Sequence, residues 1–108
     1  MGFLDQLTGL FTKGGRDDAL LIKGIEQAKS KHPEQAIETY NQLLKSHATS
    51  ISTRARALFN RALAYSSIDN DERALADLEA VLKLPNVPDN VQTAARTQIA
   101  RVRRRGEQ

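Results

Sequence analysis

Five positions of this chain recur at a fixed offset: Leu20, Gly24, Ala36, Tyr40 and Leu43 are followed 38 residues later by Leu58, Ala62, Ala74, Leu78 and Val81. Within each set the first two and the last three positions stand at helical intervals, and a small residue falls where two helices must approach closely. A whole helix-turn-helix unit is therefore duplicated, which is the mark of a helical repeat rather than of an ordinary bundle. Repeats of this kind hold partners more often than they perform chemistry. That sets the broad class of function and leaves the partner open.

The punctuation between the periodic stretches predicts the elements. Phe3, Leu4, Leu7, Leu10 and Phe11 fall on one face of a short amphipathic helix, with Asp5, Gln6, Thr8 and Gly9 on the other. Gly14-Gly15 ends it, and Asp17-Asp18 introduce the next helix, which runs to about Ser30. Pro33 suits the first turn of the following helix, which continues to about Ser46. After a polar loop around His47 to Ser50, a helix is expected over Thr53 to Ser67. Asp69 and Glu72, at capping-box spacing, start another that reaches about Leu84. Pro85 and Pro88 break the chain, and Asp89 with Gln92 repeats the capping-box spacing in a looser form. The last helix spans about Asn90 to Arg104, with Val91, Ala94, Ala95, Ile99 and Val102 as a narrow apolar stripe suited to covering a terminal repeat.

The duplicated pattern resembles the tetratricopeptide repeat, whose typical unit is about 34 residues of helix A, turn and helix B. Unit one matches at Leu20, Gly24, Ala36, Tyr40 and Leu43, although Lys23 and Gln27 stand where apolar or aromatic residues are usual. Unit two matches at Leu58, Ala62, Tyr65, Ala74, Leu78 and Val81, with Arg61 in place of the usual apolar residue and Pro85 near the repeat's terminal proline. The longer offset fits an insertion in the His47 to Ser50 loop, where added residues cost least. The resemblance covers roughly residues 18 to 86. It implies an all-α protein of two antiparallel repeats, about 17–48 and 52–86, a capping helix at about 89–105 and a tail at 106–108. Together these make a repeat domain over 16–105, preceded by the amphipathic segment and linker of residues 1–15.

Composition narrows the alternatives. A chain of 108 residues suits one domain with a modest core. The absence of cysteine removes a disulfide framework, a thiolate zinc site and a thiol nucleophile, and is compatible with a reducing cytoplasm. Apolar stretches fall well short of a transmembrane helix, and the N-terminus lacks the pattern of a signal peptide, so a cytoplasmic location is expected, with membrane association as a variant. The net charge of +3 is uneven: residues 96 to 108 carry +4 and the remainder −1.

Catalysis has no constellation to support it. His32 and His47 fall in predicted loops, and no H-E-x-x-H, phosphate-binding glycine loop or G-x-S-x-G elbow is present, so neither enzyme activity, metal nor cofactor is expected. The resemblance implies that the A helices line a concave surface, where unit two would present Arg56, Phe59, Asn60, Leu63 and Ser67. Asparagine at the position of Asn60 often bonds a bound peptide's backbone in this family, and Arg56 is placed to meet a carboxylate. In unit one Leu21 and Ile25 stand where repeats that clamp chaperone tails carry lysine and asparagine, which argues against that ligand. Together with Ile22 they make the first half of the groove apolar, and such a patch normally marks a contact surface.

The expected function is a non-enzymatic adaptor that binds a partner protein segment, or its own N-terminal helix, in this groove. Two repeats are fewer than solenoid stability usually requires, so the Phe3 to Phe11 face is expected to dock within the chain or between two copies. The competing class is a peripheral membrane or anionic-polymer protein, attached through that face and through Arg101, Arg103, Arg104 and Arg105. Asp5 and the brevity of the segment weaken membrane anchoring, and Gln6 breaks the myristoylation pattern. The arginines have no interleaved aromatic to stack a base, and they complement a helix C-terminus without any nucleic acid.

Overall fold

Residues 15 to 107 are described by a computed structural model of the chain, and they form five helices: α1 (Arg16–Lys29), α2 (Pro33–Leu44), α3 (Ile51–Ser67), α4 (Asp71–Lys83) and α5 (Asp89–Gly106). The Phe3 to Phe11 face lies outside the described residues. Helices α1 with α2, and α3 with α4, form the two tightest pairs; α2 packs on α3, and α5 closes the array against α4 and α3. No strand occurs among the described residues, and the architecture is an all-α array of helix-turn-helix repeats.

The turns show why the chain reverses where it does, and the 38-residue offset extends to their backbone. Lys31 and Asp69 both hold a left-handed φ, 65° and 62°. His32 N–H donates to Gln27 O and Asn70 N–H to Tyr65 O, each at 2.9 Å, while Lys31 N–H donates to Ala28 O and Asp69 N–H to Ser66 O. These paired bonds satisfy carbonyls that a helix end leaves free, in the pattern usually completed by glycine. Asp69 is thus the C-terminal stop of α3 and not the N-cap of α4. Asn70 is that cap, its Oδ1 accepting from Arg73 N–H at 3.3 Å.

Three other ends depart from the expected caps. Gly15 occupies the N-cap of α1 with φ 51° and ψ −120°. The Asp17 and Asp18 carboxylates are therefore free to accept from Thr49 and Thr53 hydroxyls, tying the first turn of α1 to the α2–α3 connection. Ser50, whose Oγ accepts from Thr53 N–H at 3.1 Å, starts α3 earlier than the periodicity suggests. Arg54 donates to the carbonyls of Leu44 and Ser46 and so closes the end of α2. At α5 the N-cap is Pro88 with no side-chain bond, because Gln92 donates instead to Val87 O at 2.9 Å.

The core runs through both units. Ala55, Leu58, Ala62, Tyr65, Ala74, Leu78 and Val81 join Val87, Val91, Ala95 and Ile99 in one buried cluster, and Leu20, Leu43 and Ala57 form a smaller one. Small residues permit the close approaches. A Cβ placed on Gly24 would stand 2.3 Å from Tyr40 Cε1, so the fully buried ring of Tyr40 fills the space that a side chain would take. In unit two the same two positions hold Ala62 and Leu78: the larger small residue faces the smaller large one.

Two of the polar departures from the repeat pattern, Gln27 and Arg61, find partners on the second helix of their own unit, while Lys23 is exposed. Gln27 accepts from Thr39 Oγ1 at 2.6 Å. At the position equivalent to Thr39, unit two has Asp77, which binds Arg61 through a two-bond fork: Nε to Oδ2 at 2.8 Å and Nη2 to Oδ1 at 2.7 Å. Arg61 Nη1 donates to Asn41 Oδ1 at 2.8 Å, so one guanidinium joins α2, α3 and α4. The Asp77 bond holds Arg61 more firmly in its charged form, since it outweighs the opposing effect of burial. Tyr65 lies beneath the guanidinium groups of both Arg61 and Arg73, each 5.8 Å from the ring centroid.

Candidate functional site

Helices α1 and α3 each pack more extensively on their own partner than on each other, and this leaves a concavity between them. It holds a cavity of about 450 Å³ lined by Ala28, Lys31, Pro33, Leu63, Ala64 and Ser67. The left-handed turn at Lys31 brings that residue and Pro33 to the rim, while the C-terminal half of α3 forms the opposite wall.

Two rows of side chains lead toward the cavity. On α1, Leu21, Ile25 and Ala28 fall at i, i+4 and i+7, and on α3, Phe59, Leu63 and Ser67 at i, i+4 and i+8, so each row occupies one helical face. Ala28, Leu63 and Ser67 all line the cavity, and there the rows meet. Leu63 is 36% exposed, large for an apolar side chain in a domain of this size.

The residues expected at the groove divide into two groups. Leu63 lines the cavity, and Ile22 and Ile25 are half-buried on α1. Leu21 leans onto the Leu20, Leu43 and Ala57 cluster, and Phe59 onto the larger core, so each divides its surface between packing and the open face. Arg56 and Asn60 are half-buried one turn apart, and Asn60 Nδ2 donates to Arg56 O at 2.8 Å. That bond fixes the amide while leaving its carbonyl oxygen and second N–H available to another chain. Ala28, Lys31, Pro33 and Ala64 were not legible as cavity residues. For Lys31 and Pro33 the sequence signal is the turn between Lys29 and Pro33, which does not disclose what it faces.

The arginines of the last helix are also unequal. Arg101, Arg103, Arg104 and Arg105 are all exposed, but Arg105 alone of them is anchored: its Nη2 donates to Ser66 Oγ at 2.6 Å and Asp71 Oδ1 at 2.5 Å, tying the end of α5 to the α3–α4 turn. His32 and His47 are exposed, and among the described residues no group of three or more metal-ligating side chains is clustered. No helix among the described residues is long and apolar enough to cross a membrane. The lining of the cavity is mostly apolar, with the Lys31 side chain and the Ser67 hydroxyl as its polar members.

Family comparisons agree with the geometry unit by unit. One tetratricopeptide repeat model matches residues 18–50 and a second matches residues 55–87. No curated protein and no solved structure matches the chain. The two matched stretches cover most of the α1–α2 and α3–α4 pairs, with their duplicated turns, and together they account for more than half of the sequence. The chain belongs to the tetratricopeptide repeat family.

Proposed function

We propose that this protein is a non-enzymatic adaptor whose α1–α3 concavity receives an extended or helical segment of another protein. Repeats of this family serve as protein–protein interaction modules, which supplies the class of function. The observation that carries the site is the open cavity between Ala28 and Leu63, continuous with a half-exposed apolar row on α1. Apolar side chains of the partner fill the cavity, the Asn60 amide bonds its backbone, and Arg56 meets a carboxylate.

The test is affinity capture with the intact chain and with the Arg56→Ala/Asn60→Ala double variant. Both residues are half-exposed and away from the core clusters, so each change should alter stability by no more than about 0.5 kcal/mol. Partner recovery should fall markedly while the helical circular dichroism and Tm stay unchanged. Equal recovery by the double variant refutes the groove assignment.

A further inference from the structure

We propose that the cavity between α1 and α3 is an anchor pocket for one large apolar side chain of a partner segment, whose acidic neighbour meets Lys31. The inference rests on the groove reading above and adds the chemistry of the residue that the groove selects. It comes from the two junctions of the array, one of which carries its own occupant.

The 38-residue offset extends to α5. Shifting α3 (Ile51–Ser67) by that offset gives residues 89 to 105, and α5 spans Asp89–Gly106. Helix α5 also lies on α4 and, less extensively, on α3, as α3 lies on α2 and, less extensively, on α1. The junction of α5 with unit two is therefore a second copy of the junction of α3 with unit one. The cavity lining has direct counterparts there: Ala28, Lys31 and Pro33 correspond to Ser66, Asp69 and Asp71, and Leu63, Ala64 and Ser67 to Arg101, Val102 and Arg105.

At the second junction a side chain spans the equivalent place. Arg105 reaches across from α5, and its Nη2 donates to Ser66 Oγ at 2.6 Å and Asp71 Oδ1 at 2.5 Å. At the first junction Ser67 is too short for that crossing, and a cavity of about 450 Å³ lies between the walls. Pockets that hold whole small ligands measure about 300 to 1,000 Å³, so a large side chain fits together with part of its neighbour.

The walls of the two junctions also differ in kind. Ser66 and Asp71, which receive the guanidinium, are replaced by Ala28 and Pro33, and Asp69 of the turn by Lys31. No carboxylate lines the cavity to receive a cation, and the charge at the turn has changed sign, with Lys29 exposed two residues away. An apolar side chain gives up no hydrogen bond on entering such a pocket, and a carboxylate beside it meets the Lys31 ammonium. The pocket is thus selective against the very type of side chain that fills its counterpart.

The test is the amide map of the isotope-labelled full chain, titrated with three capped tetrapeptides: Ala-Phe-Asp-Ala, Ala-Phe-Lys-Ala and Ala-Ala-Asp-Ala. The first should shift Ala28, Lys31, Leu63, Ala64 and Ser67 saturably. The lysine peptide should bind about threefold or more weaker, the range of an exposed ion pair, and the peptide without phenylalanine about tenfold or more weaker. Lys31→Glu should reverse the order of the first two peptides. Ala28→Ser/Pro33→Asp/Ser67→Arg, which rebuilds the second junction at the first, should keep the helical circular dichroism and lose the shifts. Should that triple variant not fold, Lys31→Glu, a change at an exposed residue, carries the same decision.

Equal affinity for the three peptides, or no saturable shift at the cavity, overturns the proposal. Shifts confined to Arg56 and Asn60 overturn it while leaving the groove reading intact. Cavity shifts that persist in Arg56→Ala/Asn60→Ala uphold it even where the assignment of those two residues fails. Cavity amides that move on dilution without peptide assign the pocket to a second copy, and Overhauser contacts from them to residues outside 15–107 assign it to the chain itself; either result overturns the proposal.

Discussion

Replacing Gly24 with alanine separates the local preference of a helix from the demands of its packing. In an exposed helix interior the change stabilises by about 1 kcal/mol, because glycine loses more backbone freedom on folding. Here the added methyl group would meet Tyr40 Cε1 at 2.3 Å and Tyr40 Cδ1 and Cζ at 2.8 Å, far inside ordinary carbon contact of about 3.5 to 4.0 Å. The ring is fully buried and its retreat is blocked, so the overpacking cost takes the upper part of the usual range of about 1 to 3 kcal/mol. Net destabilisation of about 1 to 2 kcal/mol follows, which lowers Tm by about 4 to 16 °C in a domain of this size. Thermal and urea unfolding followed by circular dichroism measure it.

The decisive comparison is a cycle with Tyr40→Leu, since Gly24→Ala/Tyr40→Leu rebuilds the Ala62 and Leu78 pair of unit two. The double variant should be more stable than the sum of the single effects by at least about 1 kcal/mol. A higher Tm for Gly24→Ala alone, or strict additivity in the cycle, refutes the account of why this position is glycine.

Tyr40 also makes stability depend on pH. Among the described residues its buried hydroxyl has no hydrogen-bond partner, and burial pushes its pKa up to about 12 from 10.0. Its contribution is fully present below pH 10 and is lost as pH rises toward 12, at up to about 1.4 kcal/mol per pH unit, because the unfolded chain ionises first. Tyr40→Phe should flatten that part of the profile and raise stability near neutral pH by about 1 kcal/mol; an unchanged alkaline slope in urea melts would count against it. Arg61→Ala should cost about 2 to 3 kcal/mol by leaving Asp77 buried without its partner, whereas Arg61→Leu/Asp77→Leu should lie within about 1 kcal/mol of the parent in the same melts. Lys31→Gly should raise Tm, by up to about 1 kcal/mol in stability, because its φ of 65° is one that glycine takes without strain. A fall in Tm would mean that the lysine side chain does more at the cavity rim than the backbone preference can recover.

The repeat is legible in the sequence because Leu20, Gly24 and their counterparts obey a period that any helix must respect. Individual caps are less so. Asp69 and Asn70 are both good capping residues, and only the backbone bonds to Tyr65 and Ser66 decide that the first stops a helix and the second starts one. The departures at Gln27 and Arg61 are visible as exceptions, but their partners Thr39 and Asp77 become apparent only once the register of α1 on α2 and of α3 on α4 is known. For the groove, periodicity places Leu21 and Phe59 on the A-helix face without showing that each leans toward the core. Lys31 and Pro33 reach the cavity through a turn whose direction depends on one positive φ.

The Arg61 fork has a consequence for lengthening the array. Its bonds to Asp77 stay inside unit two, while the bond to Asn41 crosses from unit one. If unit two were copied in tandem, Glu79, which stands at the register of Asn41, would face the arginine of the following copy. Each junction would then exchange an amide for a carboxylate and gain an ion pair between neighbours. Unit two therefore carries its own joint, and a longer solenoid could be assembled from it without designing a new seam.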